Sequence, residues 1–103
     1  MTKPLEWITG ASSGLGHALA FEMASRGYRL VLTARRREAL DSLQSEITGK
    51  HQGALVHVAE GDLVDAPRMR AIVESMEADG GIDIAVLNAG IYIPIDATKP
   101  DLD

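Results

Sequence analysis

The residues best suited to chemistry form one glycine-rich stretch near the amino terminus. Thr9 to Gly16 reads TGASSGLG, and its glycines follow the pattern G-x-x-x-G-x-G. Gly10 permits a sharp turn, Gly14 lets a ligand approach the backbone closely, and Gly16 lets a helix pack tightly on a sheet. At a strand-to-helix junction, the free N–H groups of the first helical turn and the positive end of the helix face an anion. The pattern therefore predicts a loop that binds the pyrophosphate of a dinucleotide.

Two serines strengthen this interpretation. The hydroxyls of Ser12 and Ser13 add hydrogen bonds to a phosphate, each contributing about 1 kcal/mol net. Glycine also serves ordinary turns, so a plain strand-to-helix connection is the alternative. The loop is not of the ATPase type, because that motif needs Gly-Lys-Ser/Thr and here His17 and Ala18 follow the last glycine.

The elements that must position this loop alternate between short strands and longer helices. Apolar runs predict strands at Leu5–Thr9, Arg29–Thr33, Ala54–Ala59 and Ile82–Leu87. Apolar residues at helical spacing predict three intervening helices, carried by Leu15, Leu19 and Met23, by Leu40, Leu43 and Ile47, and by Met69, Ile72, Val73 and Met76. Asp65 is a good N-cap for the third helix, with Pro67 in its first turn. This order predicts an α/β fold, a doubly wound, mostly parallel sheet with helices on both faces.

The fourth strand would be left at an edge. It is almost wholly apolar and comes last, so it has at most one partner in the chain, and a bare apolar edge invites aggregation. We therefore expect residues 1–103 to be the first part of a longer domain, or to pair with something else.

The amino-acid composition argues against several classes of function. The 103 residues are 46% hydrophobic and 24% charged, with a net charge of −5, which is typical of a globular protein and offers no broad footprint for nucleic acid or an anionic membrane. Cysteine is absent, so disulfide and thiolate chemistry are excluded, and a cytoplasmic location is expected. The sequence has no bilayer-length apolar run, and its three histidines lack metal-ligand spacing.

The chain resembles the short-chain dehydrogenases/reductases over residues 5 to about 95. TGASSGLG is similar to that family's T-G-x-x-x-G-x-G cofactor loop. Asp62, in Gly61-Asp62-Leu63, matches its acidic position after the third strand, which meets the adenine ring, and Asn88-Ala89-Gly90 matches its N-A-G after the fourth. Ala34-Arg35-Arg36 lies where the family reads the adenosine ribose. The resemblance implies a Rossmann-like fold and these cofactor contacts: Gly10, Ser12, Ser13, Gly14, Leu15, Gly16, Arg35, Arg36, Asp62, Leu63, Asn88, Ala89 and Gly90.

The resemblance also implies an activity, hydride transfer between a nicotinamide cofactor and a small carbonyl or alcohol substrate, in a homo-oligomer. The family's catalytic Ser and Tyr-x-x-x-Lys have no counterpart within 1–103, because neither Tyr28 nor Tyr92 has a lysine four residues on. The chain alone is therefore expected to be inactive. The family commonly has a second asparagine where Leu87 stands. The alternatives are a non-catalytic, truncated dinucleotide-binding module and a flavodoxin-like signalling domain, which would need an acidic cluster at the strand ends.

The end of the second strand predicts the choice of cofactor. NAD is usually selected by a carboxylate there, which accepts hydrogen bonds from the ribose hydroxyls. Here that position is Ala34, followed by arginines, which hold a phosphate with paired charge-assisted bonds. We expect NADP(H) over NAD(H), with Arg35 as the principal contact and Arg36 second. The alternative is a solvated start to the second helix.

Overall fold

A four-stranded parallel sheet with three helices organises the chain. The computed structural model describes residues 3–12 and 14–87. In chain order the elements are β1 (Leu5–Thr9), α1 (Gly14–Ser25), β2 (Arg29–Thr33), α2 (Arg37–Lys50), β3 (Val56–Val58), α3 (Ala66–Ala78) and β4 (Ile84–Leu87). The strand order is β3-β2-β1-β4, and every pairing is parallel. The predicted α/β architecture is confirmed. Across these described ranges, no helix has the length and apolar character needed to cross a membrane.

Alternation along the strands divides the core between the two faces of the sheet. One face packs against α1 and α2, and its buried residues include Ile8, Leu30, Leu32, Leu40, Leu43 and Ile47. The opposite face packs against α3 and contains Leu5, Trp7, Val31, Ile72 and Met76. β1 and β2 are buried along almost their whole length, as expected for strands covered on both sides. Both faces of the sheet are thus covered, as the prediction requires.

The predicted bounds of β1 and β2 are confirmed, whereas the outer strands are shorter than predicted. β3 contains only Val56–Val58, and β4 begins at Ile84 rather than Ile82. Asp83 explains the later start of β4. Its backbone N–H donates to the Leu5 carbonyl at 2.9 Å, and its Oδ2 accepts from the Leu5 N–H at 2.8 Å. These two hydrogen bonds hold the beginning of the β1–β4 pair together.

The helix termini largely follow the predicted signals. Asp65 caps α3, and its Oδ1 accepts a hydrogen bond from the Arg68 backbone N–H at 3.1 Å. Gly27 has φ +88°, a backbone conformation that favours glycine, two residues after the end of α1. Gly49, two residues after the last predicted apolar position Ile47, does not end α2, which continues through it to Lys50.

The apolar stripe predicted for α1 is not its buried face. Leu15 is 72% exposed, and Leu19 and Met23 are only partly buried. The buried positions are instead Gly16, Ala20 and Ala24. Because these side chains are small, the helix axis can lie close to the sheet, and the larger side chains are turned to the flanks.

One buried charge interrupts the apolar core. Glu6 of β1 is 1% exposed, on the same face as Ile8, and its Oε1 has no hydrogen-bond partner among the residues that the structure describes. Burial raises the pKa of Glu6, because removal from water disfavours the charged carboxylate. The carboxyl group therefore destabilises the fold at neutral pH.

Candidate cofactor-binding site

The glycine-rich loop lies at the carboxyl end of β1, as predicted. Gly10 and Gly14 have φ +63° and +55°, a region that L side chains rarely adopt and that makes glycine the natural residue at both turns. Ala11 between them is fully buried, and its backbone N–H donates to the Thr33 carbonyl at 3.2 Å. The loop is thereby attached to the end of β2, while Ser12 lies half-buried.

The amino end of α1 points toward this same edge of the sheet. The helix begins at Gly14, so the third glycine of the motif, Gly16, lies inside its first turn and is buried. No acidic side chain occupies that turn, which leaves the positive end of the helix dipole unopposed there. An ideal Cβ on Gly14 would meet no atom of another described segment within 4 Å. The loop therefore has open space beside its backbone, as a bound phosphate requires.

The arginines after β2 divide into two groups. Ala34 is buried, whereas Arg35 and Arg36 are exposed and make no side-chain hydrogen bond or ion pair within residues 3–12 and 14–87. Arg36 occupies the N-cap position of α2 but makes no side-chain capping bond. Arg37, in contrast, is bound to two carboxylates, those of Glu60 and Asp41, each at 3.2 Å. These two contacts raise the pKa of Arg37, Glu60 contributing most.

The segment after β3 approaches the end of β2 through its backbone. The Gly61 N–H donates to the Ala34 carbonyl at 2.9 Å. A Cβ at Gly61 would lie 2.8 Å from Met69 Cε, the end of a flexible side chain that would have to shift to make room. Asp62 is half-buried, and its Oδ1 accepts from the Val64 N–H at 3.1 Å. Its carboxylate thus makes a local turn contact, while Asp65 supplies the helix cap.

Strand order places these segments at a point where ligands bind in α/β sheets. The chain runs outward from β1 to β3 and then returns to place β4 on the other side of β1. Such a reversal opens a crevice at the carboxyl ends of the two strands on either side of it, here β1 and β4. Thr9 and Leu87 are paired there, and the Thr9 hydroxyl donates to the Val86 carbonyl at 3.2 Å. Gly10, the first glycine of the loop, directly follows Thr9 and therefore lies at this reversal.

The structure brings together most of the predicted segments that it describes. Backbone hydrogen bonds join the glycine loop to the end of β2, and the end of β2 to the Gly61–Leu63 segment. Leu15 and Leu63 are exposed near the amino ends of α1 and α3. Ser13, Asn88, Ala89 and Gly90 lie outside the described residues. Two grooves of about 390 and 400 Å³ lie away from these segments, beside α3 and at the amino ends of the strands.

Sequence reasoning missed Glu60 and Arg68, which help to hold this edge together. Glu60 contacts Arg37 through its carboxylate and Arg68 through its backbone carbonyl. The glutamate directly precedes Gly61-Asp62 in the sequence, and that position was the only signal available. Its partners are 23 and 8 residues away, so no local spacing rule would have paired them.

Comparison with known proteins agrees with this geometry. A family model described as short chain dehydrogenase matches residues 6–103. The chain is 41% identical over 85 residues to an uncharacterized oxidoreductase of Mycobacterium tuberculosis, covering 82% of this chain and 34% of that protein. It is 32% identical to the NADPH-dependent reductase BacG of Bacillus subtilis, with 85% and 34% covered.

A solved structure shows the same likeness in three dimensions. The L-sorbose reductase of Gluconobacter frateurii, complexed with NADPH and L-sorbose, superimposes with a TM-score of 0.79 at 31% identity. The match covers 99% of this chain and 39% of that one. The chain thus spans between a third and two fifths of the length of the relatives that it matches.

Proposed function

The chain belongs to the short-chain dehydrogenase family, and we propose that it forms the NADP(H)-binding, amino-terminal part of a single-domain oxidoreductase. The observation that carries this proposal is the convergence of three backbone segments at the carboxyl edge of the sheet, with open space beside Gly14. In this assignment the first-turn amides of α1 and the loop hydroxyls bind the pyrophosphate. Asp62 and Leu63 contact the adenine, and Asn88, Ala89 and Gly90 follow β4 on the side of the nicotinamide.

The exposed arginines support NADP(H) as the cofactor. The position after β2 that would carry a carboxylate in an NAD-selective site is Ala34, which is buried and uncharged. Arg35 and Arg36 are exposed beside it, and within the described part of the chain neither is engaged by a carboxylate. A guanidinium in that state is available for paired hydrogen bonds to a 2′-phosphate. The complexes of two similar enzymes with NADPH agree with this choice.

The chemistry of the cofactor indicates which part of the reaction residues 1–103 support. When bound, the nicotinamide supplies or accepts the hydride exchanged with a carbonyl or alcohol carbon. Residues 1–103 bind and orient that cofactor, and they contain no Tyr-x-x-x-Lys to move the accompanying proton. We therefore expect the catalytic side chains, the pocket for a small carbonyl or alcohol substrate and the homo-oligomeric contacts to come from the rest of a cytoplasmic enzyme.

Cofactor titration tests the proposal. Isothermal titration calorimetry of the protein with NADPH and NADH should give tighter binding of NADPH. Arg35→Ala should weaken NADPH binding by about tenfold, which is at the lower end for charge-assisted hydrogen bonds, and should change NADH binding much less. Arg26→Ala is the matched control, because Arg26 is exposed at the opposite end of α1, where it pairs with Glu22. An unchanged preference in Arg35→Ala would remove the basis for NADP(H), and absence of binding by either nucleotide would refute the proposal itself.

A further inference from the structure

Glu60 connects the two loops that flank the proposed adenosine site. It lies two residues after β3, and its Oε1 accepts a hydrogen bond from Arg37 Nη1 at 3.2 Å. Its backbone carbonyl accepts a second one from Arg68 Nε at 2.7 Å. Arg37 is the first residue of α2, and Arg68 lies in the first turn of α3. One residue therefore ties the amino ends of two helices to the segment between them.

This connection constrains the direction of the exposed arginines. The side chains of Arg35 and Arg36 have no partner in the described ranges, so the position of their backbone sets the region of the surface that they can reach. That backbone is bounded on one side by the Ala34 carbonyl, which accepts the Gly61 N–H at 2.9 Å. On the other side it is bounded by Arg37, which Glu60 and Asp41 hold. The short arginine segment is thus fixed at both ends.

We infer that Glu60 is a positioning residue for cofactor selection, acting through Arg37 and never touching the cofactor itself. The inference rests on the proposed NADP(H) function of this edge. In it, Arg37 is not a third phosphate contact but an anchor. It holds the start of α2 against the Glu60–Asp62 segment, so that Arg35 and Arg36 project toward the 2′-phosphate.

The direction in which one substitution changes NADPH affinity distinguishes a positioning role of Glu60 from a purely electrostatic one. Glu60 carries a negative charge near the place proposed for a phosphate, so charge alone predicts that its removal strengthens NADPH binding. Removal of Glu60 would also release Arg37 as an additional contact for the phosphate, which again predicts stronger NADPH binding. Positioning predicts the reverse, because the arginine segment loses an anchor and must be ordered when the cofactor binds.

The decisive variant is Glu60→Gln, which keeps the size of the side chain and all the arginines. Both partners of the Arg37–Glu60 pair are about half exposed, so a loss of twofold to fivefold in NADPH affinity is expected, the range of exposed ion pairs. NADH affinity should fall less, so that the ratio of the two affinities decreases. Glu22→Gln is the matched control, since it breaks an exposed pair with Arg26 away from the site, and it should leave the ratio unchanged.

A measurement without cofactor completes the test. Hydrogen exchange of the Gly61 amide, bonded to Ala34, should become faster in Glu60→Gln and stay unchanged in Glu22→Gln. Arg37→Lys should resemble Glu60→Gln, because an ammonium lacks the fork that reaches Glu60 and Asp41 together. Equal or tighter NADPH binding by Glu60→Gln would overturn the inference alone. Failure of the unsubstituted protein to bind either nucleotide would instead overturn the proposed function, and the inference with it.

Discussion

Replacement of Gly14 by alanine separates the two interpretations of the glycine-rich loop. If the loop were only a strand-to-helix connection, Gly14 would be needed for its backbone conformation alone. If the loop binds a pyrophosphate, the empty space beside Gly14 is the space of the ligand. The structure permits the distinction because a Cβ at this position meets nothing within 4 Å among the described segments, and φ is +55°.

The expected magnitudes differ for stability and for binding. An alanine held at positive φ costs about 1–2 kcal/mol, which for a domain of this size lowers Tm by at least about 4 °C. A methyl group between the phosphate and the loop amides removes charge-assisted hydrogen bonds that contribute about 1.5–3 kcal/mol each. Loss of one such bond weakens cofactor binding by about 10- to 150-fold. The loss of binding free energy is therefore at least comparable to the loss of stability, and only the phosphate-binding interpretation predicts it.

The assay pairs this variant with a glycine that has the same geometry elsewhere. Gly53, between α2 and β3, has φ +86° and likewise no atom within 4 Å of its ideal Cβ. Gly53→Ala should lower Tm by a similar amount, measured by circular dichroism, and leave NADPH affinity intact in calorimetry. If Gly14→Ala and Gly53→Ala reduce Tm equally and both retain NADPH binding, Gly14 is a turn residue and the phosphate-binding interpretation is wrong.

Three further predictions concern the core and the activity. Because burial raises the pKa of Glu6, its destabilisation is absent below the unfolded-state pKa and grows as the pH rises through the folded-state pKa. Glu6→Gln should therefore raise the free energy of unfolding in urea by about 1–2 kcal/mol at pH 7 and leave it unchanged at pH 3.5. An equal gain at both pH values, or the same gain in the exposed control Glu74→Gln, would contradict this prediction. Trp7→Phe should lower the free energy of unfolding by about 1–3 kcal/mol, because the Trp7 Nε1–H bond to Thr33 Oγ1 at 2.9 Å is buried. Thr33→Val should add little in that background, and additive losses would argue against the bond. Residues 1–103 alone should not oxidise NADPH with any carbonyl substrate in a 340 nm assay, and measurable turnover would place catalytic groups inside the chain.

The sequence predicted the elements best where the chain is buried on both sides. The bounds of β1 and β2 were correct because their apolar runs are set by the two packed faces and by the turns that follow. β3 and β4 lie at the edges, where each has one partner among the described strands. There the strand ends depend on individual contacts, such as that of Asp83 with Leu5. An apolar run in the sequence does not predict such contacts.

The candidate site was predictable as a set of positions but not as a structure. Glycine spacing located the loop, and its place after a strand indicated the edge of the sheet. The cross-link through Glu60 could not be predicted, because Arg37 and Arg68 reach it from separate helices. The buried Glu6 was read as an ordinary strand position, since alternation indicates a face of the sheet but not whether a carboxylate finds a partner there.

The buried face of α1 differs from the predicted one, and this difference bears on the proposed ligand site. A stripe of leucines facing the sheet would keep the helix axis about 10 Å away and lift its first turn off the edge. The structure instead packs Gly16, Ala20 and Ala24 inward, so the helix lies close to β1 and β2, and Ala11 hydrogen-bonds to Thr33. The first turn of α1, with exposed Leu15, thus begins at the carboxyl edge of the sheet. The small residues were the packing signal, and the same close approach that buries them directs the positive end of the helix at the proposed pyrophosphate.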